Sequence, residues 1–153
     1  MALQMKIFKQ LSLVCLFLTS VSAHGGEAAE KDTLVWQQSS EQGIFEVTLD
    51  SQAKDIVEIN EFLEWVLTVK TADGEVVSPA RITVGGGMPK HGHGLPTQPQ
   101  IGEYLGDGKY LLKGLKFSMN GQWELTFDIQ SEDQQDNVVF DFKLDYSDGG
   151  STN

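Results

Sequence analysis

The side chains best suited to hold a metal gather in one short stretch, Gly85 to Pro99, which reads GGGMPKHGHGLPTQP. It carries two of the three histidines, three of the four prolines and five of the sixteen glycines, with Met88 three residues ahead of His91. A plain turn does not need that density. Imidazole and thioether donors on one stiffened loop suit copper better than the other common metals, because thioethers select Cu(I) and zinc prefers cysteine, more histidine or carboxylate. In an extended segment residues i and i+2 project to the same side, so His91 and His93 are expected to face one ion. Two ligands do not close a site, since closed transition-metal sites take about three or four. Met88 on the same loop and Met119 on a second turn are the expected candidates for the remainder.

His24 is a further candidate. If a leader is cut after Ala23, its amine and ring nitrogen become a chelate for Cu(II). Each of these residues also has a plainer reading. The methionines can be gap-filling hydrophobes, the loop histidines can hydrogen-bond loop carbonyls, and His24 can be a solvent-facing end.

The elements that position the loop have an apolar period of two. Phe45, Val47 and Leu49 alternate with Glu46 and Thr48, and Leu63, Trp65, Leu67 and Val69 alternate with Glu64, Val66, Thr68 and Lys70. Half-buried strands follow from that pattern. Asp73-Gly74 signals a tight hairpin returning through Val76 and Val77 to Ala80, Ile82 and Val84. Tyr110 to Phe117 and Trp123 to Gln130 flank Met119-Asn120-Gly121. A two-residue loop there mixes faces, whereas a three-residue loop pairs Phe117 with Trp123 and Leu115 with Leu125. The three-residue hairpin is therefore expected, with Met119 at its tip. A polar turn at Ser131 to Asp136 precedes a last strand with Val138, Phe140, Phe142 and Leu144 inward. Residues 56 to 62 are ambiguous and could hold a short helical turn.

About seven strands at turn-marked spacing predict an all-β chain, an antiparallel immunoglobulin-like β-sandwich. Trp65, Leu67, Trp123, Leu125, Phe127, Phe140 and Phe142 are expected to share its core.

Residues 1–23 read as a signal peptide: Lys6 and Lys9, then apolar Leu11 to Leu18, then Val21-Ser22-Ala23. The apolar run is too short for a membrane span, which takes about 20 residues. A periplasmic or secreted protein is expected. Cys15 as a lipidation site is the rival reading, disfavoured by the bulk of Val14 before it. Residues 24–32 are read as a flexible lead-in, 33–146 as the sandwich domain and 147–153 as a disordered tail.

Cleavage after Ala23 would remove Cys15, the only cysteine, and with it any disulfide or thiolate ligand. It would also remove two lysines and no acid, taking net charge from −11 to 9 minus 22, or −13. So acidic a chain repels nucleic acid and anionic lipid.

An enzymatic role is not expected. No cysteine nucleophile survives cleavage, no G-x-S-x-G elbow is present, and three histidines leave little for a triad. Copper oxidase chemistry using His24 and the loop is a minor alternative.

Asn60-Glu61-Phe62, Asp73-Gly74, Ala80, Met88-Pro89-Lys90-His91-Gly92-His93-Gly94, Gly108-Lys109-Tyr110 and Phe117-Ser118-Met119-Asn120-Gly121-Gln122-Trp123 occur in the order of the YtkA-like family. The chain resembles that family, which is itself similar to the FixH-like exported domains. The resemblance implies an immunoglobulin-type sandwich and a metal role. FixH-like proteins carry a membrane anchor, which departs from the soluble mature chain expected here. The leading expectation is an exported copper-binding protein for transfer or storage. The rival is a metal-free envelope accessory module that contacts another protein through the same loop.

Overall fold

The computed structural model describes residues 34–52 and 57–145. The expected leader, Cys15, His24, the lead-in and the tail beyond residue 146 lie outside the described residues.

Nine strands form among them: β1 (Val35–Ser39), β2 (Phe45–Asp50), β3 (Leu63–Thr71), β4 (Arg81–Met88), β5 (His93–Gly94), β6 (Gln100–Gly106), β7 (Lys109–Leu115), β8 (Gly121–Ser131) and β9 (Gln134–Leu144). They build two antiparallel sheets, ordered β1-β2-β3-β7-β6 and β5-β4-β8-β9. This is the expected sandwich, with more strands than expected.

Alternation drives it. Along β2 the odd residues Phe45, Val47 and Leu49 are fully buried while their neighbours are half-buried, as a two-residue period demands when one face packs on a second sheet. All seven expected core residues are buried, joined by Phe45, Leu112, Leu115 and Phe117. Between the sheets the rings of Trp65, Phe117, Trp123 and Phe142 touch at 5.0–6.0 Å between centres. Trp36 of β1 closes the cluster, stacked on Trp65 at 5.5 Å and tilted against Phe142 at 5.1 Å.

Two expected hairpins are corrected. The Asp73-Gly74 turn forms, with Gly74 at φ 86 and its N–H donating to the Thr71 carbonyl. Its return strand, however, stops after the Lys70–Val76 bridge and the bond from Val77 N–H to Val69 O. The chain then crosses at Ser78-Pro79 to the other sheet, where β4 pairs with β8. Phe117 and Trp123 likewise do not pair as hairpin neighbours, because β7 and β8 belong to different sheets. They meet face to edge across the core, at 5.0 Å and 69°. Residues 57–62 hold turns rather than a helix. The polar turn before the last strand is shorter than expected, since β9 already starts at Gln134 and Asp136 is buried within it.

Candidate metal site

The histidine loop sits where β4 ends. Its placement follows from the glycine run, because Gly87 pairs with Gly94 and Met88 with His93. A Cβ on Gly87, at φ 155, would lie 2.2 Å from the His93 carbonyl oxygen. Only a residue without a side chain lets the backbone of β5 come that close. Between the two strands, Pro89–His91 makes one 3-10 turn, and Gly92 ends it in the left-handed conformation (φ 66, ψ 23), its N–H donating to the Pro89 carbonyl at 3.2 Å. Proline supplies the first position, where no N–H is needed, and glycine the left-handed stop.

This geometry brings His91 and His93 together by a route the sequence did not suggest. They do not alternate along one extended strand, since His91 ends the 3-10 turn and His93 opens β5. Their rings nonetheless lie 6.2 Å apart between centres with planes 16° from parallel. Both residues are exposed. Neither imidazole makes a hydrogen bond or ion pair among the described residues, so the reading in which the rings tie down the turn through loop carbonyls finds no such bond. Sharing one ion would require a nitrogen of each ring within about 2 Å of it, so from this near-parallel arrangement both side chains would have to turn toward the ion.

Met88 is not presented beside them. It is 1 % exposed and belongs to the core, with its methyl carbon packed over Gly121, where a Cβ would stand 2.8 Å from it. The alternation that buries Met88 was readable, because Ile82, Val84, Gly86 and Met88 occupy one face of β4. Met119 is the accessible thioether residue, 44 % exposed. It lies on the crossover between β7 and β8 rather than on a hairpin tip, and its carbonyl accepts the Trp123 indole N–H at 3.0 Å. Gly121 joins the two regions, since Met88 packs on it and Met119 precedes it by two residues. No cluster of three or more histidine, cysteine, aspartate or glutamate side chains suited to a metal occurs among the described residues. At this loop the described residues thus offer two exposed imidazoles and no closed metal site.

Beside the loop runs an open groove of about 630 Å³, floored by Ile82, Val84 and Gly86 of β4 and walled by Leu95, Pro99 and Ile101. Phe62, 70 % exposed with the Lys116 ammonium 5.3 Å from its ring centre, stands at the same end of the sandwich, because Leu63 next to it pairs with Leu115 at the close of β7.

At the opposite end, Asp136 is the buried carboxylate. Backbone N–H groups of Gln42 and Asn137 donate to it at 2.9 Å and that of Ile44 at 3.4 Å. Burial pushes its carboxyl up, but the Ser40 hydroxyl and the N–H groups of Asn137, Gln42 and Ile44 outweigh burial and hold it below the usual carboxylate range. Its role is to fasten the β1–β2 turn to β9.

Among the described residues no helix is long and apolar enough to cross a membrane. No curated protein matches the chain. Among solved structures, a DUF4426 family protein from Pseudomonas aeruginosa is similar at TM-score 0.50 and 12 % identity, over 75 % of this chain and 96 % of that one. A copper-bound variant of FetP from uropathogenic Escherichia coli gives TM-score 0.45 and 10 % identity, over 73 % and 95 %. The first likeness is one of fold, and it agrees with the two-sheet architecture. The YtkA-like family matches residues 39–128, from the end of β1 through most of β8 and including the whole histidine loop, and the chain belongs to that family.

Proposed function

We propose that this chain is an exported protein that binds copper at His91 and His93, for transfer or storage rather than catalysis. One observation carries the reading: two exposed, near-parallel imidazoles, 6.2 Å apart and free of hydrogen-bond partners, on a loop whose shape is fixed by backbone pairing. A surface histidine pair with no structural task is available to a ligand. Met119 offers a thioether on the same end, which favours Cu(I). Met88 would have to leave the core to ligate, so its main contribution is packing under Gly121. His24 is proposed as a separate amino-terminal chelate, independent of the loop.

The test is copper titration of the parent and of the His91→Ala/His93→Ala variant in reducing and oxidising buffers. The parent is expected to take up about one copper ion, more tightly than zinc, in line with the Irving-Williams order. Loss of binding in the double variant with an unchanged melting temperature supports the site. Undiminished binding rejects it.

The exposed Phe62 ring and the groove beside β4 favour a second reading, in which the same loop contacts another envelope protein without metal. Metal content of protein purified from its own compartment separates the two.

A further inference from the structure

We propose that the outer edge of β4 takes up an extended, uncharged peptide segment of another protein as an added antiparallel strand. The proposal goes beyond both readings of the histidine loop, because it uses backbone groups and no imidazole. Among the described residues β5 alone pairs with this edge, and only at Gly87 and Met88. One more bond follows, from the Leu95 N–H to the Gly86 carbonyl, before the chain turns away to β6 in the other sheet. β5 thus begins a strand along β4 and leaves the stretch from Arg81 to Gly85 open.

Strand geometry says which groups that stretch presents. Along an antiparallel strand successive residues turn their N–H and C=O groups to opposite neighbours, and Gly86 turns its carbonyl outward to Leu95. The register of β4 on β8 is unbroken from Arg81 to Gly87. Ile82 and Val84 therefore also point outward, while Thr83 and Gly85 bond to β8. The outward groups open on the groove of about 630 Å³, where Ile82 and Val84 face Leu95 and Ile101. All four side chains are half-buried and packed against the core. A regular, unpaired edge is a template for another strand. β6, the edge of the facing sheet, is blunted by two register shifts, and β4 has none.

Charge defines the occupant. None of the described residues that line the groove is charged, so a carboxylate or ammonium placed in it would lose water and find no counter-ion. No acid occurs between Glu75 and Glu103, although the chain holds twenty-two, so the self-repulsion of so acidic a protein is weakest along this edge. The fitting segment has apolar residues at alternate positions and runs in the direction of β5. The described chain ends, before β1 and after β9, lie at the sheet edges opposite β6 and β4, which favours a separate molecule over a returning end of the same chain.

The experiment pans the purified full chain against a phage-displayed library of random linear peptides and follows amide hydrogen exchange by NMR. In the free chain the Ile82 and Val84 amides should exchange fast, and those of Thr83 and Gly85 slowly. Enriched peptides should be uncharged with alternate apolar residues, and should protect the Ile82 and Val84 amides on binding. N-methylation of the peptide amides that face β4 should weaken binding at least tenfold, and methylation of the intervening amides should not. Val84→Pro removes an outward donor and no bond to β8, so it should weaken binding by a similar factor with the fold retained; the methylated peptides carry the same test on the parent chain. No enriched peptide, protection at other residues, or tolerance of methylation on the β4 side overturns the proposal. So do Ile82 and Val84 amides already protected in the free chain, which would mean that its own residues or a second copy fill the edge. His91→Ala/His93→Ala should bind peptide like the parent, so a failed copper site leaves this inference standing.

Discussion

The two ends of the sandwich treat their polar side chains in opposite ways. At one end Asp136 is buried and meets donors from Ser40, Gln42, Ile44 and Asn137. At the other, His91 and His93 are exposed and meet only each other. A buried polar group with every bond satisfied is part of the architecture. Two exposed imidazoles with none take no such part in it, although the loop that carries them is fixed by backbone pairing. The difference separates the residues that build this fold from those proposed to act on a ligand.

The core that both ends share gives the largest expected effect. Trp123 is 1 % exposed, touches Phe117 and donates to the Met119 carbonyl, so Trp123→Ala should cost about 3 to 5 kcal/mol in denaturant unfolding. A loss below about 1 kcal/mol would place it outside the packed core.

Asp136→Asn tests the architectural end alone. It should destabilise by about 1 to 3 kcal/mol at neutral pH and leave copper binding unchanged. The sign with pH follows from the lowered folded-state value: the stabilisation is present above the unfolded carboxylate value near 3.9 and is lost as pH falls through the folded one. The parent should therefore lose stability on acidification below about pH 4 by more than the variant does. Parallel acid profiles would show that the Asp136 bonds contribute nothing.

Gly87→Ala breaks the histidine end through its scaffold. The new Cβ would strike the His93 carbonyl oxygen, so β5 must move and the ring pair must open. Copper affinity should fall at least tenfold while the global stability changes by about 1 to 3 kcal/mol, the scale of local backbone strain. Unchanged affinity would mean that the loop does not need its backbone pairing to hold the site.

Much of the fold was legible because its signal is local. Period-two alternation in β2, β3, β8 and β9 reports which face is buried, and the burial pattern repeats it residue by residue. Connectivity was less legible, for a physical reason. Phe117 and Trp123 face one another whether their strands pair in a hairpin or pack across two sheets, so inward alternation cannot distinguish the two. β6 escaped because it is an edge strand, mostly exposed and with an irregular register, and carries no alternation to read. At the candidate site, the residue types were legible and their geometry was not. The histidines meet through a 3-10 turn and a left-handed glycine instead of by strand alternation, and Met88, whose position in the β4 pattern marked it as inward, is packed into the core.

The smallest effect concerns the thioether. Met119→Leu keeps the apolar bulk and removes the sulfur, so it should weaken Cu(I) binding by severalfold, with little change for Cu(II). Equal weakening of both would point to a change of loop shape.

The central claim, that the partnerless imidazoles are the copper ligands, is tested most directly by titrating parent, Asp136→Asn and His91→Ala/His93→Ala with Cu(I) against a competing chelator, with melting temperature measured on the same samples. The account predicts parent-like affinity and a lowered melting temperature for Asp136→Asn, and abolished binding with an unchanged melting temperature for the double variant. Parent-like copper affinity in the double variant would contradict it.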